Sequence, residues 1–173
     1  MTKGVLIKSF IDNHNDVIVY INSLTDRQFL SSNNEKWTAG QQFSHIYLTL
    51  IPFLKVLPSK DFILEKFGKI DRPTWNYETV VEKYLTTTLK APAQYLPDKI
   101  TLEQKVTICN DLQATLKSIS ELLDQYSEEE LDTLVLPHPL LGNLTIREMF
   151  YLMTYHANHH LKQTKLNLEY YSK

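Results

Sequence analysis

Apolar residues recur at spacings of three and four in four separate stretches of the chain, which is the period of an amphipathic helix. Residues 5 to 22 carry Leu6, Phe10, Val17 and Ile21 on one face. From Trp37 onward, Ala39, Phe43, Ile46, Leu50, Phe53 and Leu57 form a second stripe. Leu102, Val106, Cys109, Leu112, Leu116, Ile119 and Leu123 form a third, which stops near Ser127. The fourth begins at Thr145 and runs through Ile146, Met149 and Met153. Three of these stripes are preceded by a capping signature: Thr38 with Gln41, Thr101 with Gln104, and Thr145 with Glu148. In each pair a hydroxyl meets a backbone N–H three residues on, and the Glu or Gln reaches back. Pro52 lacks an N–H, so a kink or an early end is expected there.

Between the stripes the pattern weakens. "SSNNEK" reads as a polar loop, and residues 58–100 read as a long connection with some helix of its own. Within it "DRPTW" is a loop and "NYETVVEKYLTTTLK" a shorter helix, whereas Pro92 and Pro97 make "APAQYLPDK" irregular. "EEELDTLVLPHPLLGN" reads as a turn-rich connector. There is no strong strand alternation and no internal repeat. Four long amphipathic helices with one long crossover predict an all-α protein, a four-helix bundle, as one domain over residues 1–173.

Composition narrows the function classes. A net charge of −2 with no basic block argues against binding nucleic acid. The most apolar run, "IYLTLIPFLKVL", is interrupted by Lys55 and is shorter than the roughly 20 residues that span a bilayer. The N-terminal stretch meets Asp and Asn too soon for a signal peptide. A single cysteine, Cys109, rules out an internal disulfide and reads as a small core residue. The expected setting is cytoplasmic, without membrane partners.

Six histidines are present, three of them in "MTYHANHHLKQTK". Continuing the inward seam of the last helix beyond Met153 leads to His156, His160 and Gln163. The seam thus changes from apolar to polar halfway along one helix. Buried imidazoles without partners are costly, so two of them one turn apart need a shared reason. Side chains four apart on a helix are neighbours and can bind one divalent metal. His159 lies about 60° to one side of His156, on the flank. For a third ligand His45 is the first candidate, at the edge of the bundle interior on a stripe with Gln42 and Thr49. His14 is the alternative, although Asn13, Asn15 and Asp16 around it suggest a solvated face. His138 reads as a loop histidine near a pocket mouth.

Two segments, "WTAGQQFSH" and "GNLTIREMFYLMTYHANHHLKQ", together resemble the DinB-like superfamily. They look most like its branch of YfiT-type metal-dependent hydrolases and bacterial thiol S-transferases. The motif match covers about thirty residues, and residues 58–125 add nothing to it. The matching residues are Trp37, His45, His156, His160 and Gln163. The resemblance implies a four-helix bundle holding one divalent metal ion, usually zinc or nickel, on the three histidines. Members are often dimers, so a homodimer is an expectation; Tyr170 and Tyr171 read as surface or dimer residues.

Three neutral histidines leave a divalent ion its full charge and an open position for water or a thiolate. The residues between His156 and His160 include no glutamate, so the usual metalloprotease base is missing, and Glu148 reads as a cap residue. Gln163 could orient a ligand as an outer partner. Trp37, Gln42, Tyr47, Thr49, Tyr155 and His159 are candidate pocket residues. The resemblance favours transfer of a low-molecular-weight thiol to an electrophilic substrate. A hydrolase using the same site is the second reading, and a non-catalytic metal-binding or partner-binding helical protein the third.

Overall fold

A computed structural model describes residues 1–32, 36–88 and 92–169. Eight helices account for most of them: α1 (Lys3–Ser23), α2 (Asp26–Leu30), α3 (Ala39–Val56), α4 (Lys60–Phe67), α5 (Tyr77–Thr86), α6 (Leu102–Asp124), α7 (Glu128–Thr133) and α8 (Ile146–Glu169). A hairpin of β1 (Val135–His138) and β2 (Gly142–Thr145) precedes α8, and a short 3-10 turn lies at Ala93–Tyr95. The fold is all-α apart from the hairpin. The long helices α1, α3, α6 and α8 form the bundle: α1 packs on α8 and α6, and α3 packs on α6 and α8. The fifth helix lies outside this set, against α8. Among the described residues, no helix is long and apolar enough to cross a membrane.

The caps read from the sequence form as hydrogen bonds. Thr38 and Gln41 exchange a reciprocal pair at the start of α3, and Thr101 and Gln104 do so at α6. At α8 the Glu148 N–H donates to the Thr145 hydroxyl and the Thr145 N–H donates to Glu148. Further boxes close α2 (Thr25 with Gln28) and α7 (Ser127 with Glu130).

Several expectations are corrected. The third helix neither ends nor breaks at Pro52 but runs to Val56. One missing N–H is tolerable because Phe53 and Leu57, on either side of the last turn, are buried and anchor it. The inward face of α6 starts at Ile108, not Val106, which is exposed, and Cys109 is only half-buried. The connector 128–143 contains α7 and most of a hairpin, too short to show a period. The long connection contains α4 as well as α5, and its proline-rich end includes the 3-10 turn. Tyr170 and Tyr171 lie outside the described residues.

Two glycines set the frame of the site. Gly40 lies in the first turn of α3, where a Cβ would come within 2.9 Å of the Phe29 ring and 3.2 Å of Ile100. Its missing side chain lets α2 close over the start of α3. Gly142 begins β2 with φ +71°, a left-handed conformation that glycine adopts without strain. The pairing runs from Val135 opposite Thr145 to His138 opposite Gly142.

His14 is not on a solvated face. It is 1% exposed, and its Nδ1 donates to the Phe10 carbonyl at 2.7 Å with its ring against that of Phe10. Phe10, His14, Val17 and Ile21 repeat at four, three and four, so the inward stripe passes through it. Burial pushes its pKa down to about 4. The unfolded chain therefore binds the proton first as pH falls, and stability present above pH 6.5 is lost on the way to pH 4. The loss reaches about 3 kcal/mol for a shift of this size. His14→Leu is expected to flatten that acid limb in urea unfolding at pH 7, 6, 5 and 4. An unchanged slope would show that His14 does not carry it.

Candidate metal centre

The third and eighth helices meet with three histidines between them. His45 comes from the middle of α3, and His156 and His160 come from successive turns of α8. They are 3%, 5% and 8% exposed. The His156 Nε2 lies 3.1 Å from His45 Nε2 and 3.0 Å from His160 Nε2. All three ligating atoms fall within 4.8 Å of one another. His14, the alternative third ligand, is not in this group.

Two of the rings are held from behind. His45 Nδ1 donates to the Tyr95 carbonyl at 2.6 Å, and His160 Nδ1 donates to Gln42 Oε1 at 2.5 Å. These bonds place the protons of the neutral rings on Nδ1, so each Nε2 presents a lone pair. Both lone pairs face His156 Nε2. A proton there could satisfy one of them but not both. A cation satisfies all three nitrogens at once. Nitrogens bound at about 2.0–2.1 Å to a tetrahedral ion lie about 3.3–3.4 Å apart. The observed 3.0 and 3.1 Å need only a few tenths of an ångström of adjustment.

The electrostatics agree with the geometry. Burial, and then the neighbouring histidines, hold His156 and His160 well below the usual imidazole range. Burial also lowers His45, partly offset by the Tyr95 carbonyl. All three are neutral at pH 7, the form that ligates. The Trp37 ring covers them, with its centroid 5.0 Å from His45 and stacked at 6.3 Å over His160. Asn167, about two turns beyond His160, donates to the Trp37 carbonyl at 3.4 Å.

A cavity of about 530 Å³ opens beside the histidines. Trp37, Thr49 and His159 line it, as do His45, His156 and His160. Tyr47 does not; it packs half-buried against the core. Tyr155 sits behind the wall, edge-on to Tyr84 and tilted against His159. Gln42 is buried behind His160 rather than on the wall. Gln163 is half-buried and makes no hydrogen bond to a histidine. Gln42 takes the orienting role read for it. The signal was available, since Gln42 precedes His45 by three residues and so shares its face of α3. Nothing in the sequence marked the Tyr95 carbonyl or Tyr84. His138 is a strand residue, and it lines the cavity.

Glu148 has more partners than its cap. Fully buried, it accepts from both Arg72 guanidinium nitrogens at 2.6 and 2.9 Å and from the Trp75 N–H at 2.6 Å. The Arg72 guanidinium in turn lies 3.3 Å from the centre of the Trp75 ring. This fastens the segment entering α5 to the start of α8 and leaves Glu148 no part in the histidine site.

A four-helix bundle whose three buried histidines face a cavity is an arrangement that can hold a metal ion. The sequence pattern of the DinB superfamily matches residues 9–164, and the chain belongs to that superfamily. A comparison with curated proteins finds no match.

Proposed function

We propose that His45, His156 and His160 hold one divalent ion, zinc or nickel, and that the protein is a metal-dependent enzyme transferring a low-molecular-weight thiol to an electrophilic substrate. The observation that carries this reading is the convergence of three imidazole nitrogens on one point, two of them with tautomers fixed by carbonyl oxygens. Imidazole suits either metal. The ion, when bound, supplies Lewis acidity and favours the deprotonated form of an incoming thiol or water.

The chain's own residues do the rest. Tyr95 and Gln42 orient two ligands, which matters because such outer partners set ring direction and basicity. Trp37 shields the histidines from one side. The cavity walls exclude water with apolar and aromatic side chains. Among the described residues they carry no carboxylate to act as a general base. That favours a thiol over water as nucleophile, because a thiol with a pKa near 8.5 is already partly ionised at neutral pH. In the transfer the sulfur forms a bond to the electrophilic carbon. The leaving group departs with the bonding electrons, and the thiol proton passes to solvent. Hydrolysis at the same site is the second reading.

The test is turnover. Zinc- and nickel-loaded protein is incubated with small thiols and electrophiles, and free thiol is followed with a chromogenic disulfide. Consumption that depends on the metal and vanishes in His45→Ala supports transfer. Product acid formed without thiol would favour hydrolysis.

A further inference from the structure

The cavity holds a polar group that the three-histidine site does not use. Its described walls contain no lysine, arginine, aspartate or glutamate. They are mostly apolar and aromatic, and the Thr49 hydroxyl on them is already donated to the Ile46 carbonyl. Away from the three histidines, a charged ligand in such a space would lose its hydration and find no opposite side-chain charge; an ion held by those histidines is the one charge on the described wall.

His138 is placed differently from the other histidines. It ends β1, on the hairpin rather than in the bundle. Its Nδ1 accepts from the Leu140 and Leu141 N–H groups, each at 3.2 Å. The neutral ring must then carry its proton on Nε2, on the edge turned away from the turn. Burial holds its pKa down to about 4, so the ring is neutral at pH 7. No partner for Nε2 occurs among the described residues. His138 is half-buried, so this nitrogen is left free for a ligand. A donor of fixed tautomer therefore stands in a wall whose described side chains carry no charge of their own.

We infer that the part of this cavity away from the three histidines takes an uncharged, largely apolar group bearing one hydrogen-bond-accepting oxygen or nitrogen, and that the His138 Nε2–H meets that acceptor. The inference rests on the reading that the histidine site acts on a small molecule. In a transfer that molecule is the electrophile; in a hydrolysis it is the ester or amide. His138 is then a specificity-determining residue, separate from the metal-holding set.

Three naphthalenes of similar shape test this by equilibrium dialysis against the full chain, zinc-loaded and chelator-treated. They are 2-acetylnaphthalene, 2-ethylnaphthalene and 2-naphthalenesulfonate, an anion that ligates metals poorly. The ketone is expected to bind roughly three- to tenfold more tightly than the hydrocarbon. On the chelator-treated chain, where no ion attracts it, the sulfonate is expected to bind at least about tenfold more weakly than the ketone. His138→Phe should abolish the preference for the ketone while keeping the hydrocarbon's affinity. Leu85→Lys, which places a cation on the wall from an exposed position of α5, should bring in the sulfonate. A sulfonate that binds the chelator-treated, unaltered chain as tightly as the ketone overturns the uncharged assignment. A ketone preference that survives His138→Phe, or an equal loss of both neutral probes, overturns the donor. Metal content is measured on the same samples. A chain that takes up neither zinc nor nickel on loading yet keeps the ketone preference would sink the metal-dependent reading and leave this one standing.

Discussion

His156→Ala is expected to lower zinc or nickel affinity by more than about 100-fold, because losing an inner ligand exceeds the 10–100-fold typical of an outer partner. His156 is the residue whose Nε2 lies within hydrogen-bond distance of both other ligating nitrogens, so its removal separates the remaining two. His45→Ala and His160→Ala should each have a comparable effect. Gln42→Ala should fall in the 10–100-fold range itself, since it frees the His160 ring without removing it. The measurement is competition with a chromophoric chelator, using untagged protein, with metal content by elemental mass spectrometry. About one ion per chain, lost in each histidine variant, is the expected result. Undiminished metal in His156→Ala would place the ion elsewhere, and His14→Ala serves as the control that should retain it.

Glu148→Ala is expected to cost about 3–5 kcal/mol of unfolding free energy, the range for removing one partner of a buried charge pair. The carboxylate meets two guanidinium bonds and two backbone N–H groups, from Trp75 and Thr145. Alanine strands the two backbone N–H groups and leaves the Arg72 nitrogens only the Pro73 and Asn143 carbonyls. Glu148→Gln keeps an oxygen for part of the set and should cost about 1–3 kcal/mol. Urea unfolding at pH 7 reads both. A loss below about 1 kcal/mol for the alanine variant would mean that water replaces the carboxylate and that the network is not a fastening.

The long helices were legible because burial writes a period into them. Thr38, Thr101 and Thr145 marked their starts, and the seam through Met149 and Met153 led to His156 and His160. Extrapolating that seam by one more step failed at Gln163, because the buried positions there are Thr164 and Asn167. The first turns of α6 were misjudged for a related reason: Val106 is apolar but exposed, and the face turns inward at Ile108. Polar neighbours misled at His14, since a helix alternates its faces and Asn13 and Asp16 say nothing of the stripe between them. The shorter helices and the hairpin lack room for a repeat. Contacts such as Arg72 with Glu148, or Tyr95 with His45, join distant positions and leave no local trace.

The hairpin enters α8 without a loop: Thr145 closes β2 and caps the helix at once. His138 and Leu140 on one wall of the cavity are thus tied to the same body as His156 and His160. Hinges need a few residues free to change backbone angles, and between these parts there are none. The opposite wall, from α5 and the Tyr95 turn, is joined by irregular backbone at Thr87, Thr88 and Pro92. The hairpin wall is thus positioned together with His156 and His160 while the α5 wall has no such tie, and the rate of ligand exchange should answer to substitutions in α5 rather than in the hairpin.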